Sequence, residues 1–253
     1  MSPLEGGAIL LAGVTAGAIN TMVGSGTLIT FPTLLAFGVP PVTANVSNTL
    51  GLVPGSVSGA IGYRAHLSGQ RPRILRLVGS TLIGSAIGAT LLLVLPSSAF
   101  RAIVPVLVLL GLTLVVLGPR LSARAAARAQ ANGDDGAADA SWVPPAVLGA
   151  GIYGGYFGAA QGVIVLGILG AGVHESLQRH NAVKNVVVAS SNALAAVIFI
   201  FSGHMDWLIV ALLAVGAATG GQIGARVGQR LPAPVLRAFI VVVGLTALVV
   251  FLS

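Results

Sequence analysis

Residues 12–38 read AGVTAGAINTMVGSGTLITFPTLLAFG, and residues 150–173 read AGIYGGYFGAAQGVIVLGILGAGV. Both stretches are apolar and uncharged, and both are interrupted near the middle by glycine: Gly24-Ser25-Gly26 in one, Gly158-Ala159-Ala160-Gln161-Gly162 in the other. The first lies inside a run, 6–63, with no charged side chain. About 20 apolar residues cross a hydrocarbon core of about 30 Å. The segments these stretches belong to, A (about 6–37) and A′ (about 143–173), are each too long for one comfortable span and too short for two.

Working outward, Gly38-Val39-Pro40-Pro41 ends A, and B (43–63), C (77–96) and D (102–119) follow. A small, polar and charged stretch, 120–142, reads as a cytoplasmic linker, after which B′ (185–203), C′ (207–225) and D′ (235–252) follow A′. The two halves, 1–119 and 143–253, are one unit used twice. Gly24 matches Gly162 at an offset of 138, Val46-Ser47-Asn48 matches Val183-Lys184-Asn185 at 137, and Leu95-Pro96 matches Leu231-Pro232 at 136. Internal duplication of this kind recurs in secondary transporters.

Composition fixes the solvent. Of 253 residues 55% are hydrophobic and 8% charged, against about 25% charged in soluble domains, and the mean hydropathy is +0.97. Such a chain cannot cover a water-facing surface, which excludes a soluble enzyme and a disordered protein. The formal charge of +7 comes from Arg at segment ends rather than a dense basic face, so nucleic acid is not an expected partner. No alternating ten-residue strands suggest an outer-membrane barrel. The N-terminus has no positive region of the signal-peptide kind.

Charge also sorts the topologies. If every segment crossed once, basic residues would divide almost evenly between the two sides, contrary to the usual bias. If A and A′ dip in and return, Arg64, Arg71, Arg73, Arg76, Arg120, Arg124, Arg128, Arg179, Lys184, Arg226, Arg230 and Arg237 share one side and Arg101 stands alone on the other. Equivalent loops then carry swapped charge, as oppositely oriented copies require. The expected fold is an all-α polytopic membrane protein of two inverted four-segment repeats, the first segment of each broken or re-entrant, in a bacterial cytoplasmic (inner) membrane.

Irregular backbone at membrane depth survives only where protein or a wet cavity shields it, so the breaks mark a site. Around them recur Asn20, Ser25, Thr27 and Gln161, and at the openings of B and B′ recur Asn45, Ser47 and Asn48 against Asn181, Lys184 and Asn185, with Ser191 beyond. Amides and hydroxyls donate to oxyanions, and half-helix N-termini add free N–H groups at a positive dipole end. These residues are the expected substrate-binding set for a small anion; hydrogen bonding between packed helices is the alternative use of the same groups. Lys184 is the only lysine and opens an apolar run, as a counter-ion or as a side chain snorkelling to the headgroups. All six carboxylates lie in termini or loops, so no proton relay or carboxylate sodium site is expected. His66, His174, His180 and His204 read as loop residues without metal-ligand spacing, and no cofactor is expected. Gly51, Gly55 and Gly59, like Gly220, Gly224 and Gly228, fall at every fourth position, the spacing for close helix contact within one protomer or across a homodimer.

The run Ala16-Gly17-Ala18-Ile19-Asn20, then Gly24-Ser25-Gly26-Thr27, Phe31-Pro32-Thr33-Leu34-Leu35 and Thr43-Ala44-Asn45-Val46-Ser47-Asn48-Thr49 resembles the sulfite exporter TauE/SafE family, as does Asn181-Ala182-Val183-Lys184-Asn185. The resemblance covers both halves, but A′ departs from it, with Val-Ile-Val-Leu after Gly162 in place of a denser glycine run and a proline. It implies export of sulfite, organosulfonates such as sulfoacetate, or related sulfur-containing anions; the duplication, the paired polar breaks and Lys184 lead to the expectation of alternating access. An inside-negative potential favours anion exit by about 2.3 kcal/mol per charge per 100 mV. A passive anion channel is the runner-up. An intramembrane serine protease built on Ser25 lacks a histidine base within a span.

Overall fold

The computed structural model describes residues 1–131 and 139–227, together with 238, 241, 242 and 245. Segment D′, with Arg230, Arg237 and Gly228, therefore lies almost wholly outside the described residues. Those described form nine α-helices and one short 3-10 turn, with no strand: α1 (Pro3–Met22), α2 (Thr27–Ala36), α3 (Pro41–Gly62), the turn Arg64–Leu67, α4 (Arg71–Val94), α5 (Ser97–Ala131), α6 (Val143–Tyr156), α7 (Gln161–Gly172), α8 (Leu177–Ile200) and α9 (Trp207–Val227). Five of these hold a stretch long and apolar enough to cross a membrane: Pro3–Met22, Arg71–Val94, Ser97–Leu117, Leu177–Ile200 and Trp207–Arg226. The protein is a multi-pass helical membrane protein. α3 is long enough but carries Thr43, Asn45, Ser47, Asn48 and Thr49; it is packed by α1, α8 and α9 instead of lipid.

Segments A and A′ are both broken where glycine interrupts them. α1 begins with a capping box between Ser2 and Glu5 and ends at Val23, after which Gly24 takes φ +84°. α6 ends at Tyr156, where Gly158 takes φ +75° and Ala160 φ +61°, the one non-glycine residue with positive φ among the described residues. Two boundaries differ from the sequence expectation. α8 starts at Leu177, so Lys184 sits two turns inside a helix and His180 is a buried helical residue rather than a loop residue. α5 continues past 119 to Ala131, into the stretch read as linker, where Ala, Arg and Gln are strong helix formers.

Glycine contacts fix the helix directions. Leu213 of α9 meets Gly13 of α1 and Gly51 of α3, and Ala217, one turn on, meets Gly17 and Gly55. Hence α1, α3 and α9 run parallel, and Pro3 and Pro41 begin at the same end of the bundle. Segment A has gone out through α1 and come back through α2. In A′ the return is closed directly: Ala140 N–H donates to Gly172 O at 2.9 Å. α4 and α6 form a second parallel pair, with Gly84 against Leu148 and Ile152 and Gly88 against Ile152 and Tyr156. α4 runs opposite to α3, because its last turn (Leu92, Leu93, Leu95) lines the same cavity as the first residues of α3 (Pro40–Thr43). At such crossings a Cβ would fall into the neighbouring backbone, so small residues let dispersion act at short range where lipid supplies no hydrophobic drive.

Charge gathers at one end of the bundle. Arg73 of α4 pairs with Asp139 at 2.6 Å and Glu175 at 3.1 Å, and Arg179 pairs with Glu175 at 2.6 Å. One guanidinium thus holds the segment that leads into α6 and the loop after α7. Arg101 and His204 line a cavity at the opposite end. The Arg73 hydrogen bond holds the Asp139 carboxyl below its ordinary range, against the opposing effect of burial. For Glu175, burial raises the value, but the bonds from Arg179 and Arg73 outweigh it and the net direction is down. A depressed carboxylate stabilises the fold above its unfolded value, near about 3.9 for Asp, and the benefit disappears as pH falls through the folded value. In detergent, the protein should melt above its Asp139→Asn variant from pH 7 to 5, and the gap should close below about pH 3.9; melting curves against pH check this.

Candidate functional site

The two breaks touch. Gly162 N–H donates to Gly24 O at 3.1 Å, and a Cβ on either glycine would overlap the other's Cα. Two short helices start from this contact: α2 at Thr27 and α7 at Gln161. Neither N-cap, Gly26 or Ala160, makes a side-chain capping bond. The first N–H groups of these helices bond to backbone of the breaks, Leu28 to Ser25 O, Ile29 to Gly26 O, Gln161 to Gly158 O and Val163 to Ala160 O, and each start carries the positive end of its helix dipole. Two such ends are therefore gathered inside the protein.

The C-terminal ends are answered by side chains. Lys184 is fully buried, and its Nζ donates to Asn20 O at 3.2 Å and Thr21 O at 2.8 Å, in the last turn of α1. An ammonium at a helix C-terminus meets both orphan carbonyls and the negative dipole end. It does not snorkel. Every ion pair among the described residues involves Arg73, Arg76 or Arg179, so no carboxylate pairs with Lys184 there. Two of its three N–H groups have partners among the described residues. From the other half, Asn45 Nδ2 donates to Tyr156 O at 3.0 Å, at the end of α6.

Three small networks flank the breaks. Asn48 Nδ2 donates to Thr27 Oγ1 at 3.2 Å, and Thr30 Oγ1 donates to Asn48 Oδ1. Asn20 and Asn192 both donate to Ser56 Oγ, at 3.1 and 3.2 Å. Gln161 Nε2 donates to Ser191 Oγ at 3.0 Å, while Ser85 Oγ donates to Ser191 O at 2.8 Å. Against these stand donors with no partner: Ser25 Oγ, in a residue 1% exposed, and Asn185 Nδ2, in one 4% exposed. Buried polar groups are paired in most native structures, and each exception asks for an explanation. Here the unpartnered donors accompany two positive helix ends and the Lys184 side chain, while the amide oxygens of Asn45 and Gln161 are also buried without a partner among the described residues.

A sequence profile described as Sulfite exporter TauE/SafE matches residues 9–251. The chain belongs to that family. Among curated relatives, YfcA of Escherichia coli K12, named a probable membrane transporter protein, is 28% identical over 248 residues, covering 93% of this chain and 87% of the relative. The Sinorhizobium protein ORF9, named likewise, is 27% identical over 249 residues, covering 94% and 88%. A Haemophilus influenzae protein with the same description is 23% identical over 237 residues, covering 92% and 89%. No solved structure matches the chain. Family and relatives alike identify a membrane transporter.

All the sequence-derived site residues of this TauE/SafE protein are buried. Asn20, Ser25, Thr27, Asn48, Gln161, Lys184 and Ser191 lie in or bonded to the broken segments, and Asn45 reaches the end of α6. Ser47 does not join them: its Oγ accepts from Asp206 N–H at 2.9 Å, at the start of α9. Asn181 has an unpartnered Oδ1 and no bond to the cluster; beside it, the His180 ring binds Val173 O at 3.1 Å. The sequence reading missed Thr30, Ser56 and Ser85. Thr30 is three residues from Thr27 and Ser56 eight from Asn48, so helical periodicity held the signal for both. No cluster of three His, Asp or Glu side chains exists among the described residues.

Two outcomes follow for the breaks. Gly24→Ala and Gly162→Ala should each abolish folded protein on size-exclusion chromatography, because the new methyl enters opposing backbone and Gly24 also needs positive φ. Lys184→Ala, which orphans two carbonyls, should lower the melting temperature more than Lys184→Gln, which retains an N–H donor.

Proposed function

We propose that the protein exports a small sulfur-containing anion, such as sulfite, sulfoacetate or another organosulfonate, across the bacterial cytoplasmic membrane by alternating access. The observation that carries this is the meeting of two helix N-termini without side-chain caps beside Ser25 Oγ, which is buried and without a partner among the described residues. A sulfite or sulfonate oxygen accepts several hydrogen bonds, and the protein offers N–H, O–H and ammonium donors together. Membership of the TauE/SafE family supports the substrate class.

The halves act as inverted copies. α1 and α3 run opposite to α4 and α6, which puts the equivalent helices α1 and α6 antiparallel. The arginine-rich end then faces the cytoplasm, as basic flanks do. Because the donors are closed off from solvent, a carrier that opens alternately fits better than a standing pore. Ser25 meets no base among the described residues, and the His180 ring is engaged with Val173, which speaks against a serine nucleophile.

Everted membrane vesicles test the reading with sulfite, sulfoacetate, taurine and sulfate. Saturable uptake of sulfite or sulfoacetate is expected, with Ser25→Ala raising KM by roughly tenfold, as loss of one charge-assisted bond does. Flux that never saturates would point to a channel. Movement of none of the four would end the proposal. Single cysteines in an otherwise cysteine-free chain map the orientation: 64–76 and 174–180 should label from one side of the membrane and 38–43 from the other.

A further inference from the structure

Phe31 of α2 meets Phe157 at 5.1 Å between ring centroids and Phe100 of α5 at 6.4 Å. Phe100 in turn meets Phe157 at 6.1 Å and Tyr156 at 5.7 Å, and all four pairs are edge to face. The three phenylalanines are at most 2% exposed. Chain geometry gives the level of this cluster. Phe157 is the first residue after α6 and precedes Gly158 of the break. α5 passes that break where Gly111 faces the Leu28 side chain and Ala159 O. Phe100 lies about three turns nearer the start of α5, one residue before Arg101, which lines the cavity shared with Ser97 and His204. On α3, Thr43 lines the same cavity, and Asn45, two residues on, donates to Tyr156 O. The rings therefore stand between the breaks and the cavity.

We propose that Phe31, Phe100 and Phe157 are the outer gate of the carrier, closed on one another in this structure, and that they part to release the anion from the breaks into the cavity of Arg101 and His204. The inference rests on the anion-transport reading above and adds where the anion leaves. The cavity has a volume of about 430 Å³, the size of a small-molecule pocket, and its guanidinium suits an emerging anion. A sulfite or sulfonate cannot cross packed rings without shedding its water, at a cost no hydrocarbon repays, so the closed cluster separates site from cavity. Edge-to-face pairs are individually weak, and parting them exchanges no hydrogen bond. The three rings belong to separate elements, α2, α5 and the break of A′, so a shift of α2 or α5 opens the cluster.

The chain has no cysteine, so one cysteine at the break reports access to it. Ser25→Cys in the full-length protein, in membrane vesicles of either orientation, is treated with the membrane-impermeant anion sulfonatoethyl methanethiosulfonate. Phe100→Ala in this background should speed labelling from the Arg101 side about tenfold, the population shift expected when several ring pairs are lost, and should not speed it from the arginine-rich side. Phe100→Leu, which keeps apolar bulk, should act in the same direction but less, and it carries the test if Phe100→Ala does not fold on size-exclusion chromatography. Phe199→Ala is the control for general loosening, since Phe199 is equally buried near the same end, on α8; it should leave the rate within about twofold. Unchanged labelling in the Phe100 variants, equal acceleration from both sides, or equal acceleration by Phe199→Ala overturns the gate. Labelling does not depend on which solute is carried, so the two conclusions fail separately: if the rings control access but none of the four anions moves, the anion reading falls and the gate stands.

Discussion

A helix that stops inside a bilayer leaves N–H and C=O groups where no water can reach them. This protein has two such stops, at Val23–Gly26 and at 157–160, and the rest of its core is arranged around them. Each interruption is placed against the other, so that Gly162 N–H finds Gly24 O and neither break faces lipid. The remaining orphan groups divide by sign. Carbonyl ends are met by Lys184 and by Asn45, each reaching over from the opposite half. Amide ends have no side-chain cap and turn to backbone carbonyls of the breaks themselves, Gly162 N–H to Gly24 O among them.

Lys184 joins architecture to chemistry. Its position at the end of α1 explains how a buried amine is accommodated in an apolar surrounding, since two carbonyls at the helix's negative end accept from it. The same position keeps a positive charge close to the breaks, where the two N-terminal dipoles already favour anions. One side chain of the second half therefore completes a helix of the first.

Much of the fold was legible in the sequence because hydrocarbon imposes simple rules. Uncharged length located the spans, and Gly24-Ser25-Gly26 with Gly158 to Gly162 located the breaks to within a residue or two. The repeat offset pairs Gly24 with Gly162, the two glycines that touch. Helix starts were less legible: α8 begins at Leu177, well before the apolar run, because Asn181, Lys184 and Asn185 are buried against protein and need no apolar character. The division of labour among the polar residues could not be read at all. Ser47 and Asn48 look interchangeable in the chain, yet one caps α9 and the other binds α2. Three-dimensional pairing, not residue type, separates them.

The close glycine-lined pairs have a consequence for motion. α1 and α3 lie against α9, and α4 lies against α6, so each tight seam joins a helix from one copy to a helix from the other. Neither copy owns a complete scaffold. Halves produced as separate polypeptides would be clasped together once assembled, and neither would be a self-sufficient folding unit. A rocking movement in which one copy tilts as a block against the other would have to tear these seams open. The tightly packed pieces are therefore hybrids, α1 and α3 with α9 in one and α4 with α6 in the other, each built from both halves of the chain.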